Sequence, residues 1–113
     1  MEYIDLISYA ENKNYSSMPS NTYEEIEMLE TGSEYNAPAN GWFTTAGTLA
    51  EADKFIAYTN ETNEKMHAYC RATTTNRSGG LFLPVKKDDV VKFYYNTTYT
   101  PLFFGFLYAE DSI

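Results

Sequence analysis

Few side chains in this sequence have the types and spacing that chemistry requires. His67 is the one imidazole and Cys70 the one thiol in 113 residues. A single cysteine cannot close an internal disulfide, and with a single histidine it cannot build a standard Cys/His zinc site. His67 alternates with Tyr69 and Arg71, which suits a surface or interface residue better than a general base. Cys70 lies in the same run beside small apolar neighbours, the setting of a small buried hydrophobe and not of a reactive thiol. Carboxylates come in pairs: Glu24-Glu25, Glu51 with Asp53, Asp88-Asp89 and Glu110-Asp111. Asp88-Asp89 offers turn oxygens to a calcium ion, but without EF-hand spacing, so these pairs read as solvated turn charges. There is no Gly-rich phosphate loop, no Ser/His/Asp arrangement and no Gly-x-Ser-x-Gly elbow. The expectation is a protein that is not an enzyme and holds no metal or cofactor.

Recognition chemistry is better represented. Asn60, Asn76, Arg77, Asn96 and Tyr99 fall in or beside polar connections, where amide, guanidinium and aromatic groups can stack on and hydrogen-bond a glycan, or act as ordinary turn residues. Sequons at Asn14, Asn60, Asn76 and Asn96 mark polar turns in an Asn- and Thr-rich chain. A net charge of −8 with only eight scattered basic residues argues against a nucleic-acid partner, because phosphate contacts need clustered Lys and Arg. No apolar run approaches the ~18 residues of a membrane helix, and the N-terminus lacks the regions of a signal peptide. Synthesis in a cytoplasm without membrane insertion is therefore expected.

The elements that would position these residues are strands. The length allows one core, so residues 1–113 are read as one domain, and 17% aromatic content favours β structure. Residues 3–9 alternate as a first strand, and 11–21 read as a loop. Residues 22–30 fit either a short capped helix opened by Thr22 and Glu25 or a strand carrying Ile26 and Met28; the Thr31-Gly32-Ser33 break favours the strand. An extended entry at residues 35–37, a tight turn at Ala39-Asn40-Gly41 and a strand over 42–48 follow. Residues 54–60 and 65–73 pair as a hairpin, 74–80 form a flexible loop, and 81–83 make a brief apolar segment stopped by Pro84. Two further runs, 90–95 and 102–109, are separated by a polar turn closed by Pro101 and read as a second hairpin. The sum is an antiparallel jelly-roll sandwich of about eight strands.

The last run is apolar on both sides. Leu102, Phe104, Phe106 and Tyr108 would line one face, and Phe103, Gly105, Leu107 and Ala109 the other. Burying an aromatic side chain is worth about 1.5–3 kcal/mol, so a strand of this kind asks to be covered twice, once by its own core and once by another copy of the chain. The alternative is a thick monomer core that uses both faces at a sheet corner. The interface expected for a homo-oligomer comprises Phe103, Phe104, Phe106 and Tyr108, with Tyr94 and Trp42. No heptad tract is present, so the globular domain itself would have to hold the oligomer.

These residues carry a resemblance. PLFFGFLYAED, residues 101–111, resembles the closing strand of the trimeric jelly-roll heads of the complement and tumour-necrosis-factor type, which end on an aromatic-x-Gly-Phe-Leu-aromatic sequence. YNAPANGWF, residues 35–43, resembles that family's Pro-x-x-Gly-aromatic entry strand, and LPVKKDDVV, residues 83–91, its Lys-Gly-Asp-x-Val turn. Short bacteriophage and prophage virion proteins with YTAPANGW-like and PVKKGD-like segments are similar again. Asp88 stands where that pattern has Gly, and Asp is among the few residues that tolerate the positive φ such a turn uses. The resemblance implies a homotrimer packed through its inner sheet about a threefold axis, located in the virion and made in the host bacterial cytoplasm. It would be a tail-fibre, head-fibre or capsid-decoration knob that docks on other virion proteins and has host surface glycans as a candidate ligand. No shaft is encoded, which shifts weight towards a decoration or head-fibre protein. A monomeric carbohydrate-binding β-sandwich module is the alternative, and a small hydrolase gathering the paired acids comes third.

Overall fold

Alternation along the chain becomes strands in two stacked sheets. The structure, a computed structural model, describes residues 18–110; the strand expected over 3–9, the sequon at Asn14 and the acid Asp111 lie outside them. Eight strands follow in order: β1 (Pro19–Glu25), β2 (Glu34–Asn36), β3 (Gly41–Leu49), β4 (Phe55–Asn60), β5 (His67–Arg71), β6 (Arg77–Val85), β7 (Val90–Tyr95) and β8 (Tyr99–Ala109). One sheet has the order β1-β8-β3-β6 and the other β2-β7-β4-β5, with every pairing antiparallel. Successive strands of the chain mostly change sheet, which is the jelly-roll arrangement expected from the sequence.

Two expectations need correction. The runs 90–95 and 102–109 do not form a hairpin: β7 pairs with β2 and β4, whereas β8 pairs with β1 and β3 in the opposite sheet. The polar link Asn96 to Thr98 therefore crosses between sheets. Residues 74–80 are also not all loop, because β6 already begins at Arg77 and runs through Pro84. Pro84 is tolerated because β6 is an edge strand, where a missing N–H need not break a ladder. The hairpin of β4 and β5 is present as expected, with Phe55 opposite Arg71 and Thr59 opposite His67. At residues 22–30 the chain is strand as far as Glu25 and then extended without regular pairing, Ile26 N donating to Phe104 O at 2.8 Å.

The core fills the space between the sheets with aromatic rings. Phe43, Tyr58, Phe93, Phe104 and Phe106 are all buried. Phe93 meets Phe104 edge-on at 5.0 Å and Phe43 meets Phe106 edge-on at 5.1 Å, arrangements worth about 0.5–1.5 kcal/mol beyond the area they bury. Asp88 has φ 73, so the turn keeps the positive-φ residue expected there, and Asp88 N donates to Ala37 O at 2.9 Å. That bond ties the turn before β7 to the link between β2 and β3.

Candidate functional site

The outer face of the β1-β8-β3-β6 sheet is built from alternate residues of four strands. Register places Tyr23 opposite Leu107, Leu107 opposite Trp42, and Trp42 opposite Pro84, so these side chains share one side of the sheet. Phe103 lies opposite Ala46, and Thr44 opposite Phe82, on the same side. Gly105 opens room within this row. A Cβ there would come within 2.4 Å of the Tyr23 hydroxyl and 2.3 Å of Glu24 O, so only Gly lets Tyr23 lie across β8. Tyr23 then meets Phe103 edge-on at 6.1 Å, and Trp42 stacks nearly parallel on Phe82 at 5.5 Å.

A bulge sharpens the face. Ala46 pairs with Phe103 but Gly47 pairs with Pro101, so Leu102 is an extra residue on β8. The buried Thr45 hydroxyl donates to Phe103 O at 2.8 Å and shares a second bond of 2.8 Å with the Tyr99 hydroxyl, holding the bulge in place. Gly47 permits it, since a Cβ there would sit 2.3 Å from Thr100 O. The consequence is that Leu102 stands 86% exposed. Beside it Tyr23, Thr44, Phe103 and Leu107 line a shallow apolar hollow of about 440 Å³. Tyr23 donates its hydroxyl to Glu25 Oε1 at 3.2 Å, and partial burial with that carboxylate neighbour pushes the phenol up to about 12. It therefore stays neutral at physiological pH.

The residues singled out by sequence are not one interface. Phe104 and Phe106 point into the sandwich and are buried by their own chain, so placing them at a contact between copies is corrected. The physical reason is that one apolar side of β8 is the core side. Tyr108 packs edge-on against Phe106 at 5.0 Å at the rim of that core and donates its hydroxyl to Glu24 Oε1 at 2.8 Å. Tyr94 belongs to the other sheet, opposite Ala57, and faces away from Trp42. Only Phe103 and Trp42 of the expected set stand on the outer face described above. Tyr23, Phe82 and Leu102 are additions; strict alternation groups Tyr23 with Glu25 and Glu27 and Leu102 with Phe104 and Phe106, because a bulge has no signature in a run of apolar residues.

The expected ligand residues also separate. Asn60 is buried: its Nδ2 donates to Asp89 Oδ2 at 2.9 Å, and its Oδ1 accepts from Thr62 N and Asn63 N at 2.9 and 2.8 Å. Tyr99 is a core residue bonded to Thr45. Both are thus removed from the glycan-contacting set, because the turns and the bulge use their polar groups. Asn76 (φ 53) and Arg77 are exposed before and at the start of β6, and Arg77 donates to Thr73 Oγ1 at 3.1 Å. Asn96 accepts from Phe55 N at 2.8 Å, anchoring the start of β4. Asn76 and Asn96 share one end of the sandwich, through Asn76 N to Ala50 O and Ala50 N to Thr98 O, and Asn60 lies at the other end.

The groups with chemical potential are spread out. His67 and Arg71 face outward on β5, Arg71 pairing with Asp53 at 2.7 Å on the surface. Cys70 is a free, half-buried thiol that faces Gly79 across the sandwich. Glu24 and Glu25 lie on β1, Glu51 and Asp53 between β3 and β4, and Asp88 and Asp89 between β6 and β7. Among the described residues no three His, Cys, Asp or Glu side chains come together as metal ligands, and no helix is long and apolar enough to cross a membrane. Compared with models of known protein families, with curated proteins and with solved structures, the chain matches none.

Proposed function

We propose that this chain is a non-enzymatic structural protein of a phage-type virion, a homotrimeric jelly-roll knob of a tail fibre, head fibre or capsid decoration. Sister copies cover the outer face of the β1-β8-β3-β6 sheet. The observation that carries this reading is the exposure on one face of Leu102 at 86%, Phe82 at 51%, Tyr23 at 40% and Phe103 at 36%. Strands β3 and β8 contain no charged residue, β6 has only Arg77 at its tip, and the edge strand β1 adds Glu24 and Glu25 at its end. A chain that leaves so many large apolar groups side by side, with charge only at the Glu25 and Arg77 margins, is suited to presenting them to another protein. The threefold number and the virion setting come from the resemblance of residues 35–43, 83–91 and 101–111 to trimeric jelly-roll heads.

A second reading, a monomeric carbohydrate-binding module, is favoured by the near-parallel Trp42–Phe82 stack, which offers a flat aromatic surface. It is weaker because Leu102, Phe103 and Leu107 surround few groups able to hydrogen-bond a sugar. Sedimentation velocity at micromolar concentration separates the two. A single species of three chain masses is expected; a clean monomer overturns the trimer and leaves the second reading standing.

A further inference from the structure

One end of the sandwich carries a hollow of mixed polar and apolar lining that neither reading uses. Asn60, Thr62, Asn63, Met66, Pro84, Val85, Lys86 and Asp89 line a cleft of about 390 Å³ between the β4–β5 and β6–β7 connections. That volume falls within the roughly 300–1,000 Å³ of small-molecule sites. We propose that this cleft binds one ring of a neutral polyol, a monosaccharide unit, between the Asp89 carboxylate and the Lys86 ammonium, with Met66, Pro84 and Val85 against its C–H face.

Asp89 supplies the floor. It is 9% exposed, and its Oδ2 accepts both bonds that the turn makes to it, from Asn60 Nδ2 at 2.9 Å and Lys86 N at 3.0 Å. Among the described residues no donor reaches Oδ1 and no cation pairs with the carboxylate, and Oδ1 is not enclosed, so it is open to accept from a hydroxyl entering the cleft. Three donors complement it. Thr62 Oγ1 already accepts from Val90 N at 3.0 Å, so its hydroxyl hydrogen is free to donate. Asn63 engages only its Oδ1, with Lys65 N at 3.3 Å, which leaves its amide hydrogens free. Lys86, an exposed residue, also lines the cleft and can bring its ammonium to it.

Charge selects the ligand class. A cation entering the cleft would meet Lys86 and an anion would meet Asp89, whereas a neutral molecule with neighbouring hydroxyls donates to one and accepts from the other. A calcium ion is disfavoured, because it wants six to eight oxygens and finds one carboxylate beside an ammonium. Asn60 is buried, its Oδ1 accepting twice and one Nδ2 hydrogen going to Asp89, so its main part is to shape the cleft. This inference concerns a different surface from the proposed contact between copies and stands without it.

Amide chemical shifts of the full chain, titrated with a panel of neutral monosaccharides and their methyl glycosides, test the proposal. Shifts confined to residues 60–66 and 84–89 are expected from at least one sugar. Asp89→Asn retains an oxygen acceptor for the turn but turns the other oxygen into a donor, and should weaken binding about tenfold; Lys86→Met, at an exposed position, should weaken it by a smaller factor. If Asp89→Asn fails to fold, Lys86→Met alone carries the test. A polysaccharide built from the best sugar then identifies the source: binding it points to a glycan chain, and binding only the free sugar to a small metabolite, and either supports the site. Absence of shifts with every sugar, unchanged affinity in both variants, or shifts produced by methylammonium or acetate and by no sugar would each overturn it.

Discussion

Phe103 and Phe104 are adjacent in the chain and opposite in circumstance. Phe104 is 1% exposed among Tyr35, Tyr58 and Phe93, while Phe103 is 36% exposed beside Tyr23 in an open hollow. The same division runs through the whole β1-β8-β3-β6 sheet: one side is finished by its own chain, and the other is apolar yet uncovered. The outer face of the second sheet shows what a finished surface looks like here. There Glu34 lies opposite Lys92, Thr59 opposite His67, and Arg71 bonds Asp53, so charges interleave with Tyr69 and Tyr94. Apolar content therefore does not separate the inside of this sheet from its outside. What separates them is whether the chain itself covers that side.

Substitutions on the two sides should fall into different classes of effect. The largest is expected from Phe104→Ala, which empties a site packed by aromatic rings and should cost about 3–5 kcal/mol in urea unfolding. Thr45→Val comes next: it removes a buried hydroxyl that bonds Phe103 O and Tyr99. It should cost about 1–3 kcal/mol, the penalty of leaving buried polar groups unpaired. An equal loss from Phe103→Ser would erase the distinction between the sides.

Alkaline pH probes both sides more gently. Burial pushes the Tyr58 phenol well above its ordinary value of 10.0, and Tyr23 rises to about 12. A folded chain thus keeps protons that the unfolded chain releases above about pH 10. Stability should be unaffected by these groups up to that point and should fall as pH rises through their raised values. Urea midpoints followed alongside tyrosinate absorbance check this, and midpoints that stay level to about pH 12 would contradict it. The smallest expected effect on stability is that of Phe103→Ser or Leu102→Asp, within about ±0.5 kcal/mol for the isolated chain. These same changes should dissociate the proposed oligomer, whereas Tyr69→Ser on the second sheet should leave it intact.

Local chemistry made much of this architecture legible and left its long-range pairings hidden. Alternation in 54–60 and 90–95 identified strands because a sheet with one buried side imposes period two, and the turn at residues 39–41 marked the start of the strand over 42–48. The order of Asp88 and Asp89 was readable too, since few residues accept the positive φ that the turn adopts. The link Asn96 to Thr98 was misread as a hairpin turn because its composition suits either a hairpin or a crossing between sheets. The choice is made elsewhere, by β8 pairing along β3 from Gly41 to Leu49. Pro84 looked like a stop because its tolerance depends on β6 lying at an edge. Asn60 and Tyr99 looked like exposed loop groups for a related reason: sequence does not show that a turn and a bulge consume their polar atoms. The candidate face was half visible, Trp42 and Phe103 from the apolar pattern, with Leu102 displaced by one inserted residue.

Hydroxyl-radical footprinting of the protein in solution bears most directly on the proposal that copies of the chain cover the outer side of the β1-β8-β3-β6 sheet. In the isolated chain Leu102, Phe82 and Phe103 are open, as is Tyr69 on the opposite sheet at 58% exposure. The account predicts strong protection of Leu102, Phe82 and Phe103 with full labelling of Tyr69. Labelling of all four residues in proportion to their exposure in the single chain would contradict it.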